Sequence, residues 1–282
     1  MKKALTLFLF VLFVLSELQL SGGQIADAQT IRSSGIIDRP NSIIFGKIDF
    51  ETGDTSQIDH FYENPSSIVL VQSQIKHTGS YGLKCEITDT SNDRNRRIEM
   101  WEGWDDATEK CLYSSKEAWV EGWLYLPTNF RLKPANNQIG WESLMSIREI
   151  EKRYEPSLPY GGTKTFQLKI NLHQVSPDDE SHFIIVGKWE SANTDLGTGI
   201  FGRDKEPIPL GTWVHLQIHV IRDKTNGLFE VYRDGKQVIG ATSVRTWGFQ
   251  DSYRAEWKHY TNIGQPYLNT LYWDDLKVKG SP

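Results

Sequence analysis

Arg97, Glu99 and Trp101 fall at every second position of a short β-type segment, which puts all three on one face of a strand. A guanidinium fixed beside an aromatic ring suits an acidic sugar, the cation meeting a carboxylate and the ring offering an apolar platform. The same spacing also fits a plain Arg97–Glu99 ion pair. A second row, Gln167, Lys169, Asn171 and His173, alternates with Phe166, Leu168, Ile170 and Leu172. It is the densest run of sugar-compatible donors in the chain. If its face is concave, Lys169 and Asn171 can hold a carboxylate while His173 serves as base; if convex, the row is simply solvated. His215 and His219 form a further pair at strand spacing, but no third ligand accompanies them, so a solvated face explains them better than a metal.

Strands must carry these rows. Short apolar segments separated by turn residues recur at Ile43–Phe50, Ser67–Gln72, Tyr81–Thr88, Arg97–Trp101, Ala118–Leu126, Ser143–Arg148, Thr165–His173, His182–Trp189, Trp213–Arg222, Gly227–Arg233, Lys236–Ile239, Thr261–Gly264 and Leu271–Val278. That spacing predicts an all-β sandwich or barrel. Asp234-Gly235 between two of them is a hairpin signal, and Asn226-Gly227 marks another turn. Helical periodicity is weak outside Glu142–Lys152. No repeat or linker interrupts the run, so residues 42–282 read as one domain behind a polar leader, 29–41.

Residues 1–28 have the layout of a secretory signal peptide: Lys2 and Lys3, an apolar run Ala4–Leu15, and the small-residue site Ala26-Asp27-Ala28. The apolar run is shorter than the ~20 residues of a spanning helix, so cleavage before Gln29 is expected rather than an uncleaved anchor, with a secreted, extracellular or periplasmic product. Export exposes Cys85 and Cys111 to an oxidising compartment; a disulfide between them is expected, with two buried thiols as the alternative. A net charge of −5 without a basic block argues against a nucleic-acid partner. The 10 Trp and 11 Tyr exceed what one core needs and suit a sugar-binding surface.

Four stretches, in order, resemble the polysaccharide lyase family that includes heparin lyase and glucuronan lyase, which has a concanavalin A-like jelly roll. They are Asp49-Phe50-Glu51-Thr52-Gly53-Asp54; His77-Thr78-Gly79-Ser80-Tyr81-Gly82-Leu83; Arg97-Ile98-Glu99 followed by Gly122-Trp123-Leu124-Tyr125-Leu126-Pro127; and the Trp213–Val238 meander with Tyr272-Trp273-Asp274-Asp275-Leu276. The resemblance implies a two-sheet antiparallel sandwich and β-elimination on a uronic acid-containing polysaccharide. That reaction needs a group that neutralises the carboxylate, a base for the C5 proton and an acid for the leaving oxygen. Arg97 or Arg148 would neutralise, His173 would be the base, and Tyr260 or Tyr267 the acid. Glu99, Trp101, Gln167, Lys169 and Asn171 would bind substrate.

Two stretches depart from the family pattern. Asn262 and Pro266 replace the lysine and second tyrosine of a Tyr-x-Lys-x-Gly-x-Tyr strand, leaving Tyr267 one residue late. Ser146 and Arg148 stand where a glutamine and a histidine are expected, and arginine cannot act as a base. Glu51 and Asp275 resemble the two ends of a structural Ca²⁺ site in carbohydrate-binding jelly rolls, or are two surface acids at strand ends. The Glu-x-Asp-x-x-Glu strand of laminarinase-like hydrolases is absent. The expected partner is therefore an acidic polysaccharide or other glycan, met by a monomer with no membrane attachment once the signal is removed. The alternative is a non-catalytic carbohydrate-binding or adhesion module.

Overall fold

The computed structural model describes residues 42–63, 67–88, 97–132, 140–151, 163–176, 179, 181–192, 194–261 and 269–281. Within them the chain forms strands β1 (Ile43–Ile48), β2 (His60–Glu63), β3 (Ser67–Gln72), β4 (Gly82–Ile87), β5 (Arg97–Glu102), β6 (Trp104–Asp105), β7 (Lys110–Cys111), β8 (Glu117–Tyr125) and β9 (Trp141–Glu151). There follow β10 (Lys164–Gln174), β11 (Phe183–Ala192), β12 (Thr198–Arg203), β13 (Trp213–Ile221), β14 (Gly227–Arg233), β15 (Lys236–Val244), β16 (Arg254–Thr261) and β17 (Asn269–Gly280).

Two antiparallel sheets pack face to face. One runs β15-β14-β13-β8-β17-β4-β3, with β1 also on β17; the other runs β12-β11-β10-β9-β16-β5-β2. Strands β6 and β7 pair as a separate small hairpin. This is the expected all-β jelly-roll sandwich. Period-2 patterning builds it: Val214, Leu216, Ile218 and Val220 of β13 face Phe166, Leu168, Ile170 and Leu172 of β10 across one apolar layer. Trp257 and Trp273 are fully buried in that layer, and the Trp257 indole N–H is satisfied by the Glu121 carbonyl at 3.2 Å. Each such large side chain contributes about 1.5–3 kcal/mol by leaving water. At the predicted hairpin, Asp234 and Gly235 both take positive φ, 50° and 77°, as a tight turn of the type I′ class requires.

Two expectations need correction, and a third falls mostly outside the described residues. Cys85 and Cys111 are free thiols. Cys85 points into the core from β4, whereas Cys111 sits on the small hairpin with Sγ 3.7 Å from the Arg148 carbonyl. Burial raises both thiol pKa values, that of Cys111 to about 11, so neither is reactive. The helical periodicity noted over Glu142–Lys152 is not realised in its described part, Glu142–Glu151, which lies in the long strand β9 as expected for Ser143–Arg148; cross-strand pairing on both sides overrides local propensity. Of the strand expected at Thr261–Gly264 only Thr261 is described, and it is the last residue of β16 (Arg254–Thr261); the rest lies outside the described residues.

Candidate active site

The face of the seven-stranded sheet turned away from the core carries every second residue of β10, and with it Gln167, Lys169, Asn171 and His173. Pairing registers extend these positions into continuous cross-strand rows. The first is Glu190–Gln167–Arg148–Arg254. The second is Lys188–Lys169–Ser146–Glu256–Trp101–His60. The third is Arg203–Val186–Asn171–Ser143–Tyr260–Arg97. A short fourth row pairs His173 with Trp141. The Arg97 and His173 strands thus present one shared face.

A break in register shapes the third row. Pairing shifts between Ile170 and Asn171 and between Trp257 and Tyr260, both opposite the Ser143–Met145 stretch of β9. Strict alternation from Ser146 would turn Leu144 outward; the bulge instead buries Leu144 beside Met145 and brings Ser143 out between Asn171 and Tyr260. Trp141 then stands next to His173, its ring edge-on to Tyr260 at 5.5 Å.

At the centre lies Glu256, fully buried. Its Oε1 accepts from Arg254 Nε at 2.7 Å and from Arg148 Nη1 at 3.3 Å, and its Oε2 from Ser146 Oγ at 2.5 Å and from Lys258 Nζ. Burial opposes the charge, but Lys258, Arg148 and Arg254 hold the carboxyl well below the usual range. The Arg254 guanidinium lies 3.2 Å from the Trp101 ring centroid and His60 stacks on the same ring at 4.2 Å. Trp101 is therefore an internal support, and Arg148 is tied to Glu256.

The predicted Arg97–Glu99 pair is present but loose, 3.8 Å, with Glu99 Oε2 taking the Trp101 indole N–H at 3.2 Å. Arg97 also lies 4.2 Å over the Tyr62 ring. Burial works against the Arg97 charge, and Glu99, Tyr62 and Tyr260 together hold its pKa above the ordinary value. Lys169 is pulled down to about 8 by burial despite its 2.6 Å bond to Glu190. His173 is pushed down to about 4 by burial and by Arg203, Lys188 and Lys169, so its ring is neutral at neutral pH.

Among the described residues, four atoms around the third and fourth rows are buried without a hydrogen-bond partner: Arg97 Nε, Ser143 Oγ, Asn171 Oδ1 and His173 Nε2. Native folds rarely leave such groups unmatched, and their convergence marks a place for a polar ligand.

Other predicted residues lie elsewhere. Tyr267 and Pro266 fall outside the described residues. Glu51 accepts the backbone N–H groups of Ser80 and Tyr81, at 2.8 and 3.1 Å. Asp275 engages His77 Nδ1 at 3.0 Å and Thr78 Oγ1 at 2.8 Å. Both carboxylates thus fasten the 77–81 turn; surrounded by N–H and O–H donors, they do not fit a calcium ion as arranged, and no step below involves one. His215 and His219 are buried rather than solvated: His219 bridges Glu230 and Glu117 at 2.8 and 2.9 Å and stacks on Trp119, while His215 stacks on Trp123. The sequence reading missed Arg254, Glu256 and Lys258 of β16. Three charges at every second position, alternating with Ala255, Trp257 and His259, were the signal that could have shown a strand with one charged face.

The profile of the polysaccharide lyase family matches residues 50–277. The chain belongs to that family. The structure resembles an endo-β-1,4-glucuronan lyase from the fungus Trichoderma reesei, with TM-score 0.64, 14% identity, and coverage of 85% of this chain and 96% of that one. It also resembles the alginate lyase Aly36B (TM-score 0.55, 12% identity, covering 85% and 96%). A GlcNAcα1-4Gal-releasing endo-β-galactosidase from Clostridium perfringens shares the fold as well (TM-score 0.56, 12% identity, covering 88% and 65%). At such identities the likeness is one of fold. No curated protein matches the chain.

Proposed function

We propose that this lyase-family protein β-eliminates a uronic acid-containing polysaccharide on the outer face of its seven-stranded sheet. The observation that supports an acidic substrate is charge. Among the described residues of these rows and their neighbours, Arg97, Arg148, Lys169, Lys188, Arg203, Arg254 and Lys258 stand against Glu99, Glu190, Glu256 and Asp106, the last bonded to His60, on a chain of net charge −5. Such a face concentrates a polyanion.

The unmatched atoms support the following roles. Ser143 and Asn171, with Arg97 on the same row, hold the uronate carboxylate and neutralise it, which acidifies the C5 proton. Neutral His173 takes that proton at Nε2; the C5 electron pair forms the C4=C5 double bond, and the glycosidic oxygen leaves C4 with a proton from Tyr260. Asn171 and Tyr260 are two strand spacings apart, roughly 10 Å between backbones, leaving room for one sugar between their side chains. Trp141, the cross-strand neighbour of His173 with its ring edge-on to Tyr260, is placed to flank that sugar. The Lys2-to-Ala28 layout further suggests export, which N-terminal sequencing of protein recovered from the medium or periplasm tests; a start at Gln29 is expected.

The functional test is the appearance of 4,5-unsaturated uronate ends, read by their ultraviolet absorbance, with glucuronan, alginate and a heparan-type polymer. Absorbance that vanishes in His173→Ala supports the reading. Binding without cleavage would instead make the protein a carbohydrate-binding module.

A further inference from the structure

We propose a second glycan-binding surface on the opposite side of the molecule, an aromatic row across the outer face of the eight-stranded sheet that grips a single extended chain of the polymer. Its choice of polymer rests on the acidic substrate proposed above.

Strand registers place Trp213, Tyr125, Tyr272, Lys84 and Leu70 side by side on β13, β8, β17, β4 and β3. Their chain neighbours Val214, Leu124, Trp273 and Leu83 are in the core, so this row points outward. The rings of Trp213 and Tyr125 lie 5.5 Å apart, and those of Tyr125 and Tyr272 5.8 Å apart. All three are half-buried, held on one side and open on the other. Trp213 is fixed by its indole N–H on the Lys76 carbonyl at 3.1 Å. The neighbouring Trp123, by contrast, is covered by His77, stacked at 3.7 Å.

Two features select the occupant. Successive ring planes turn by 54° and 77°, so no flat plane of rings exists for a crystalline polymer, whereas a twisting single chain can present a pyranose face to each ring in turn. The row is flanked by lysines, exposed Lys76 beside Trp213 and Lys84 beyond Tyr272, the latter paired with Glu86. That placement favours an acidic chain over a neutral one. A polymer long enough to reach both faces gains effective concentration at the cleft, which a short oligosaccharide cannot.

The test is affinity electrophoresis of the full chain in gels containing glucuronan or alginate, with a neutral β-glucan gel as control. To prevent digestion, the aromatic substitutions are also made in the His173→Ala background. The proposal expects retardation by an acidic polymer, weakened about tenfold or more in Tyr125→Ala/Tyr272→Ala and reduced in Lys84→Glu, a half-buried position whose folding is checked by melting temperature. Circular dichroism checks the aromatic variant. Cleavage of a short oligosaccharide should be unchanged in both. Retardation by neither acidic polymer, or retardation equal in parent and variants, overturns the proposal. So does dimerisation that Tyr125→Ala/Tyr272→Ala abolishes, which would make the row a contact between copies. Because retardation is read without turnover, loss of the lyase reading leaves this result distinct.

Discussion

His173 and Tyr260 carry the proton transfers in this account, and each is testable alone. His173→Ala and Tyr260→Phe should each lower kcat by roughly 10²–10⁴, measured as unsaturated ends formed per enzyme, with melting temperatures kept near that of the parent. Because the folded His173 pKa, about 4, lies below its ordinary 6.5, the neutral ring's contribution to stability is complete above pH 6.5 and lost as the pH falls towards 4. The drop in melting temperature across that window should be smaller in His173→Gln. Glu256 has a different part. Its removal leaves Arg148, Arg254 and Lys258 crowded without their shared carboxylate, so Glu256→Ala should destabilise by about 3–5 kcal/mol, read from urea unfolding. The row Gln167, Lys169, Asn171, His173 was legible because side-chain direction on a strand follows from spacing alone. The partners of Arg148 and Trp101, Glu256 and Arg254, were not legible, because they come from over a hundred residues away and no local pattern reports such pairings.

Among the elements, the bulge at Ser143–Met145 does the most to shape the site, by delivering Ser143 to the outer face while keeping Leu144 in the core. Deleting Leu144 removes the extra residue, so plain alternation from Ser146 through Met145 still leaves Ser143 and Trp141 on the outer face, while the core loses the Leu144 side chain. The expected outcome is lyase activity retained in a less stable sandwich, checked by activity together with thermal unfolding followed by circular dichroism. Most strands were readable from alternation, and the Asp234-Gly235 hairpin from turn chemistry. The bulge was not, since it arises from pairing with β10 and β16 on both sides. Strand β16 escaped notice for a related reason: nearly all its residues are buried, charged ones included, so hydropathy alternation gave no contrast between inside and outside.

For the whole molecule, the two-sheet sandwich leaves one face cationic, and that asymmetry on an acidic chain underlies the account. No helix among the described residues is long and apolar enough to cross a membrane. The free thiols give a simple check of the architecture: thiol titration should find neither Cys85 nor Cys111 reactive in the native protein and both reactive in denaturant. The central claim is most directly tested by incubating the protein with glucuronan and alginate while following ultraviolet absorbance and polymer length together. The account predicts rising absorbance from 4,5-unsaturated ends with shortening of at least one polymer, and neither change with His173→Ala. Unchanged absorbance and unchanged length on both polymers and on a heparan-type polymer would contradict it.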